Sequence, residues 1–417
     1  MAVFPQELFE AILDAVEDDK TLHACALVAR SFTYPAQRNH FRALTLYSHL
    51  SRRSTERRQY QTLTSAGELF QQPASAHLAL HVRELTVQLP FHPDETNAIR
   101  VVLDSTKNVV RLVASAGSMR WTALPAPARD ALLCAIRRPT LQRLHLLSMT
   151  RIPSGVIAEA LAVPVVSFYS IVMDTAEEQA DYDAAHAIQT SPTPRLRHLI
   201  LRDSSPRGIN RMFRILEFLL HSRPRRPSYT EGIRRIELRL DARHLGRDEQ
   251  LLEVCASHLE SLLLDPEPLS RPITLPTLPK LTHISLKIVF AAHGALPPFL
   301  PANISRIVAA TPALETLNLR FVAFSSRTTM ESVNGANRLR LLPEFAAPGF
   351  SARALLPRLR RVECTLVQNN IYTSAIRAVA VPKFVKATEE LFPGPKVAGM
   401  LFHVLEDPPG RYIDRLP

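Results

Sequence analysis

Two histidines four residues apart, His77 and His81, come closest in this sequence to the spacing of a metal site. Four residues is about one helical turn, so both imidazoles would lie on the same face of a helix. The zinc-protease motif of this spacing also needs a glutamate directly after the first histidine, and Leu78 stands there instead. The sequence therefore predicts a surface pair of histidines and no metal site.

The short motifs of the common enzyme classes are missing from the sequence. It holds no Gly-x-Ser-x-Gly elbow for a serine nucleophile, no kinase signature and no glycine-rich phosphate loop with a lysine. Only 12 glycines occur in 417 residues, too few for typical nucleotide-binding loops. We therefore predict no catalytic residues and no cofactor. An enzyme whose site carries no known motif is the third-ranked alternative.

The four cysteines, Cys25, Cys134, Cys255 and Cys364, are more than 100 residues apart, and each lies in an apolar run. Neither a disulfide framework nor a zinc site has such spacing. We expect all four to be small, buried side chains with free thiols, as in a reducing compartment.

The chain is basic, with 50 lysines and arginines against 39 acidic residues, and most of the basic residues are arginines. The arginine clusters at 52–58 and 223–226 are typical of solvated loops. Nothing resembles a finger, a homeodomain or an aromatic-basic RNA motif, which argues against nucleic acid as the partner. No basic leader with an apolar core and no apolar run of about 20 residues occurs, which predicts no signal peptide and no membrane span. We expect an intracellular protein of the cytoplasm, the nucleus or both.

The first 47 residues have the pattern of a small helical unit. Apolar residues recur at helical spacing from Leu8 to Val16, and Thr21 can cap a second helix whose apolar face runs from Leu22 to Phe32. Pro35 can begin a third helix, and residues 41–47 alternate like a strand. Three helices in about 40 residues bury too little surface to be stable alone. The unit must therefore pack on the body of the protein, on a partner, or on both.

This stretch resembles the F-box family. That family opens with Leu-Pro-x-Glu-Leu and closes with Cys-x-x-Val-Cys-Arg-x-Trp. Here Phe4 to Leu8 and Cys25 to Phe32 match, with Phe4 for the first leucine, Ala29 for the second cysteine and Phe32 for the tryptophan. The resemblance implies docking on the Skp-type linker protein of a cullin-based ubiquitin ligase. The family's contact positions fall on Phe4, Pro5, Leu8, Ile12, Leu13, Leu22, Leu27 and Val28. The alternative is a helical cap on a repeat body.

The remainder of the chain repeats one apolar pattern, apolar-x-x-apolar-x-apolar. The ten triplets begin at Val82, Val109, Leu141, Val163, Leu196, Ile233, Leu259, Leu281, Leu314 and Leu359. Polar residues fill most intervening positions, as in a half-buried strand. Helix-like stretches precede several triplets: Ala128–Arg138, Ser154–Leu161, Asn210–His221, Asp248–Ser257 and Asn303–Ala310. Units of one helix and one strand that repeat in this way predict a stacked α/β array.

The repeat resembles a degenerate leucine-rich repeat, because the Leu-x-x-Leu-x-Leu core is present and the following Asn or Cys is not. The resemblance implies an irregular, horseshoe-like α/β solenoid, with a less regular α/β array as the alternative. We predict an F-box-like helical domain over 1–48, a connector over 49–75, the solenoid over 76–370 and a C-terminal cap over 371–417. The cap would contain a helix at Pro382–Phe392 and a final strand at Met400–Leu405.

Together these resemblances imply a substrate receptor of the ligase, with the linker and cullin complex as partners and an unknown target protein on the repeats. The alternative is a repeat scaffold that recruits no ligase. Residues just after each triplet would form one row across the strands, and residues two ranks earlier would form another. On the middle strands these positions are mostly basic: His198, Arg202, Arg235, Arg239, His283, Lys287 and Arg320. Arginine suits carboxylate or phosphate, so we predict an acidic or phosphorylated target segment. The alternative is that these arginines are solvated or paired with Glu237 and Asp265.

Overall fold

The computed structural model describes residues 5–16, 18–48, 61–89, 95–174, 195–202, 213–220, 229–240, 245–266, 272–289, 300–323, 357–368 and 401–407. The chain divides into two compact units. The first contains residues 1–196, and the second contains the strand that starts at His198 and most of the chain after that strand.

The first unit begins with three helices, α1 (Gln6–Asp14), α2 (Asp19–Val28) and α3 (Arg30–His40). Strands and helices then alternate: β1 (Ala43–Tyr47), β2 (Gln61–Thr62), α4 (Leu63–Gln71), β3 (Glu84–Gln88), α5 (Thr96–Ser105), β4 (Arg111–Arg120), α6 (Ala126–Ile136), β5 (Arg143–Thr150), α7 (Ser154–Ala160) and β6 (Val165–Tyr169). Short 3₁₀ helices occupy Ala76–His81 and Trp121–Ala123. The strands form a parallel sheet in the order β6-β5-β4-β3-β1-β2.

The second unit continues the same alternation. Its elements are β7 (His198–Arg202), α8 (Phe213–Leu220, whose first residues belong to the first unit), β8 (Arg235–Leu240), α9 (Leu245–Cys255), β9 (Ser261–Pro266), β10 (His283–Val289), α10 (Leu300–Ala310), β11 (Thr316–Ala323), β12 (Arg361–Gln368) and β13 (Leu401–Asp407). These strands also pair in parallel, each with the next along the chain.

Burial explains why the triplets form strands. All ten triplets lie at strands, as predicted, and their apolar residues are buried; Leu199, Ile236 and Leu264 for example are almost fully shielded from solvent. The same register joins them across strands, so Ile236 pairs with Leu262 and Leu238 with Leu264. Parallel strands need a connection that crosses back, and helices such as α9 and α10 supply it. The predicted α/β class with helix-and-strand repeats is therefore confirmed.

A repeated backbone contact joins many of the described strands to a neighbouring strand. In the first unit the carbonyl of Arg83 accepts hydrogen bonds from the N–H groups of Val110 and Arg111, at 2.8 and 3.0 Å. In the second unit the carbonyl of Arg234 accepts in the same way from Glu260 and Ser261, at 2.8 and 3.0 Å. Since each accepting residue precedes its strand, the contact fixes where the next strand starts.

In the first unit, two serines with a left-handed backbone lie at the ends of two neighbouring strands. Ser148 has φ 51° at the end of β5, and Ser170 has φ 53° directly after β6. Each shifts the alternation by one residue, so that Met149 and Ile171 point into the core three positions after the last apolar residue of the triplet. Residues other than glycine adopt this conformation at a cost of about 1–2 kcal/mol. At both places the core gains one further buried side chain, Met149 or Ile171.

The structure corrects four details of the sequence interpretation. Asp18, and not Thr21, caps α2, because its carboxylate accepts from the Thr21 N–H at 2.8 Å. An extended Ala29 ends α2, so Phe32 belongs to α3, with Pro35 inside that helix. Cys134 is exposed rather than buried.

The final strand spans Leu401–Asp407, whereas the helix predicted at Pro382–Phe392 lies outside the described residues. The five helices predicted before triplets are all present, with ends that differ by a few residues. Within the described part of the chain, none of the helices combines the length and the hydropathy that a bilayer crossing requires.

Candidate functional site

The first candidate surface is apolar and lies on α1 and α2. Among the residues that the structure describes, eight large apolar side chains are exposed, and four of them belong to these two helices. Leu8 and Ile12 are 48% and 62% exposed, one helical turn apart on α1. Leu27 and Val28, at the end of α2, are 75% and 73% exposed. Such exposed apolar side chains are candidates for contact with a partner.

Contacts with α3 hold α1 in place from its other side. The rings of Phe9 and Phe32 meet edge to face, with centroids 5.0 Å apart. The Arg38 guanidinium donates to Glu10 at 3.1 Å and to Asp14 at 2.9 Å. Hydrogen bonds from Asn39 and Arg38 lower the pKa of Asp14. These contacts fix which face of α1 points outward.

Pro35 contributes indirectly to the same packing. A proline inside a helix has no N–H, so the Ser31 carbonyl one turn earlier loses its helical donor. The Gln6 side-chain amide donates to that carbonyl at 3.2 Å. The first turn of α1 is therefore tied to α3 at the point where α3 has an unsatisfied acceptor.

The structure divides the predicted linker-binding residues into two groups. Pro5, Leu8, Ile12, Leu27 and Val28 are exposed, whereas Leu13 and Leu22 are only 3% and 4% exposed. The two buried leucines hold the helices together and present no surface to a partner. Phe4 lies outside the described residues.

The second candidate surface is the polar face of the sheet in the second unit. The residues just after each triplet form a row across successive strands. Arg239 pairs with Asp265, and Lys287 pairs with Arg320, which in turn pairs with Thr365. Arg202 on β7 directly follows the pair formed by Leu201 and Leu238. The predicted basic residues are thus brought together on neighbouring strands, with His198, Arg235 and His283 four residues before Arg202, Arg239 and Lys287 and therefore two rows away.

A buried carboxylate organises one end of this face. Glu237 on β8 is 1% exposed and accepts from Arg202 at 2.6 Å, from Arg235 at 2.8 Å and from His198 at 3.1 Å. Burial tends to raise the pKa of Glu237, but the His198 hydrogen bond and the charges of the two arginines outweigh it and lower the pKa to about 2. The carboxylate is therefore charged and holds both guanidinium groups in fixed positions.

The other carboxylates of the face have partners too. Lys287 donates to Asp265 at 2.5 Å, and Glu363 contacts Arg361 and accepts from the Asn318 amide. The alternative in which Glu237 and Asp265 pair with the predicted basic residues is confirmed for Arg202, Arg235 and Lys287. The sequence interpretation did not include the Glu363 group, although its position in the repeat matches that of Glu237.

The predicted pair of histidines lies on one short helix of the first unit. His77 and His81 lie in a 3₁₀ helix with ring centroids 6.2 Å apart. Burial, followed by the charges of His77 and Arg38, lowers the pKa of His81. Within the described ranges, no group of three or more His, Cys, Asp and Glu side chains is placed to hold a metal ion.

No protein-family model and no curated protein matches this sequence. The two surfaces must therefore be interpreted through their own chemistry. The first offers exposed aliphatic groups on two short helices, and the second offers ordered charge on a parallel sheet. Both arrangements present side chains that can contact a partner.

Proposed function

We propose that this protein is a substrate-receptor subunit of a cullin-based ubiquitin ligase. In this proposal the N-terminal helices are an F-box that docks on a Skp-type linker protein, and the irregular leucine-rich-like solenoid captures the target. The observation that carries the proposal is the exposure of Leu8, Ile12, Leu27 and Val28, which occupy contact positions of the family pattern. Such a subunit catalyses nothing, since it raises the concentration of its target near the ligase.

The energy available at these side chains supports docking. Complete burial of one aliphatic side chain contributes about 1.5–3 kcal/mol, and the four side chains are between 48% and 75% exposed. Together they offer several kcal/mol, which is the scale at which a few central residues dominate an interface. Because α1 is held by α3 through Phe9 and Arg38, the apolar surface is preorganised and loses little entropy on binding.

A repeat scaffold without ligase recruitment is the second candidate. One observation favours it: β1 follows α3 after two residues and pairs with β3. The helices therefore sit directly before the first strand of the sheet, where a terminal cap of a repeat array also belongs. The two candidates differ in whether the exposed side chains of α1 and α2 have a partner.

Binding to a purified Skp-type linker protein separates the two candidates. We expect the wild-type chain to bind the linker in a calorimetric titration. The double variant Ile12→Asp with Leu27→Asp should abolish binding, because it places two charges where apolar groups are to be buried. Both positions are exposed, so thermal unfolding should remain close to that of the wild type.

A matched control uses apolar side chains of similar exposure elsewhere. Leu80 and Val254 are 48% and 49% exposed and lie outside the three N-terminal helices. The variant Leu80→Asp with Val254→Asp should bind the linker as the wild type does. If the wild type does not bind, or if both variants lose binding equally, the F-box proposal is wrong.

A further inference from the structure

Basic side chains outnumber carboxylates among the described strand residues on the polar face of the second unit. From β7 to β12 these positions hold six basic side chains and three carboxylates. The basic side chains are Arg202, Arg235, Arg239, Lys287, Arg320 and Arg361. The described strand positions of this face therefore favour an anionic ligand over a cationic one.

The positive groups are spread along the sheet rather than gathered at one point. They lie on β7, β8, β10, β11 and β12, which span five strand intervals or about 24 Å at about 4.8 Å each. A single phosphate group needs several donors around one position. An extended peptide at about 3.4 Å per residue covers the same distance with about seven residues. The distribution thus matches a run of carboxylates better than it matches one phosphate.

Two of the cations are preorganised to receive a carboxylate. In the described contacts, Arg202 and Arg235 each use one terminal nitrogen, Nη2, to reach Glu237. Their side chains remain 21% and 45% exposed. A guanidinium has five N–H donors in a planar fork, so an arginine held by an internal carboxylate can still bind a second one. Because Glu237 already fixes both side chains, little rotamer entropy is lost on binding.

We propose that this face binds an extended Asp- and Glu-rich segment of about seven residues in the target protein, with Arg202 and Arg235 as its anchoring contacts and the remaining cations aligning it across the strands. The inference names the target class of the receptor proposed above and rests on that function only for its biological meaning. The binding itself does not depend on the N-terminal helices.

The test measures the binding of a fluorescent octapeptide of alternating Glu and Asp by anisotropy at low salt. We expect the triple variant Arg235→Gln, Arg239→Gln, Arg320→Gln to bind at least about tenfold more weakly, because three charge-assisted contacts are removed. The matched control is Arg197→Gln, Arg234→Gln, Arg360→Gln, which removes the same charge from exposed residues that precede strands β7, β8 and β12. Its affinity should stay within about twofold of the wild type.

Several outcomes would overturn the proposal. In one, the acidic octapeptide fails to bind at low salt; in another, both triple variants lose the same affinity for it. A binding affinity that does not fall as salt is added would also contradict the proposal. A serine-rich octapeptide with one phosphoserine that binds while the acidic peptide does not would assign the face to phosphorylated targets instead. If the first triple variant unfolds, the single changes Arg239→Gln and Arg320→Gln replace it. The variant Ile12→Asp with Leu27→Asp should bind the peptide normally, so failure of the linker proposal is measured separately.

Discussion

Replacing Glu237 by glutamine tests whether the buried carboxylate organises the polar face. The change keeps the size and shape of the side chain and removes its charge. In the native protein the charge is held by Arg202, Arg235 and His198. The variant leaves both arginines without their anionic partner in a site where Glu237 itself is 1% exposed. We therefore expect a loss of stability that depends on pH.

The magnitude can be worked out from the pKa of Glu237. Its pKa falls from the ordinary 4.5 to about 2 in the folded protein. Each pKa unit corresponds to about 1.4 kcal/mol, so the charged form contributes about 3 kcal/mol to the free energy of unfolding at neutral pH. Because the folded pKa is the lower one, this contribution is complete above the unfolded value and is lost as pH falls from 4.5 towards 2. About 2 kcal/mol should remain at pH 3.5.

The assay is urea unfolding followed by far-ultraviolet circular dichroism at pH 7, 5, 4 and 3.5. Glu237→Gln should cost about 3 kcal/mol at pH 7, and the difference from the wild type should shrink by about 1 kcal/mol by pH 3.5. Glu260→Gln is the matched control, because Glu260 is 57% exposed and pairs with Arg234 at 3.8 Å. It should change stability by less than about 1 kcal/mol at every pH. A cost below 1 kcal/mol at pH 7, or a difference that does not vary with pH, would refute the reasoning.

Two further predictions concern the backbone and the thiols. Ser148→Gly should be neutral or stabilise the protein by up to about 1 kcal/mol, because its φ of 51° suits glycine. Ser285→Gly, at a regularly paired position of β10, should destabilise the protein by about the same amount. Equal effects on the unfolding midpoint would contradict this. All four cysteines should alkylate after denaturation without a reductant, but in the native protein Cys134 should react quickly and Cys255 slowly, since burial raises the pKa of Cys255 to about 12. Mass measurement over time checks the order, and a native Cys255 that reacts as fast as Cys134 would show that the core opens readily.

The strands could be predicted from the sequence because their burial has a simple period. A triplet such as Ile233, Ile236 and Leu238 places every apolar residue on one face of an extended chain, and all three are buried. The row of basic residues could be predicted from the same period, since register in a parallel sheet repeats the position in each strand. Both predictions needed only the order of residues and the geometry of a strand.

Pairing of the arginines with Glu237 is an alternative in the sequence interpretation, but the burial of Glu237 could not be derived from that period. By alternation Glu237 belongs to the polar face, and its exposure of 1% depends on neighbours on adjacent strands, Arg202 and His198. The left-handed serines also gave no signal, because Ser148 and Ser170 differ in no local property from serines that keep an extended backbone. In both cases tertiary packing decides between conformations of similar local energy.

Backbone hydrogen bonds between neighbouring helix-and-strand units explain why the sequence of the repeat can vary so much. The leucine-rich family places an asparagine after the core leucines to bond the backbone between neighbouring coils, and this chain has Met149, Val289 and Val322 at such positions. Here a backbone carbonyl just before many of the described strands accepts one or two N–H groups at the start of a neighbouring strand, as Glu260 does from Thr282 and His283. A backbone acceptor needs no particular side chain, so sequence can drift without breaking the contact.

Loop length can drift as well, because the closure entropy of a connection grows only slowly with its length. The triplets are separated by 22 to 45 residues, yet β11 and β12, which flank the longest separation, pair over eight residues in register. The core of the repeat therefore depends on the triplet, whereas the residues before each strand contribute only backbone atoms. The positions between and just after the apolar residues are not part of that core, and Arg235, Arg239 and Arg320 form the basic face there.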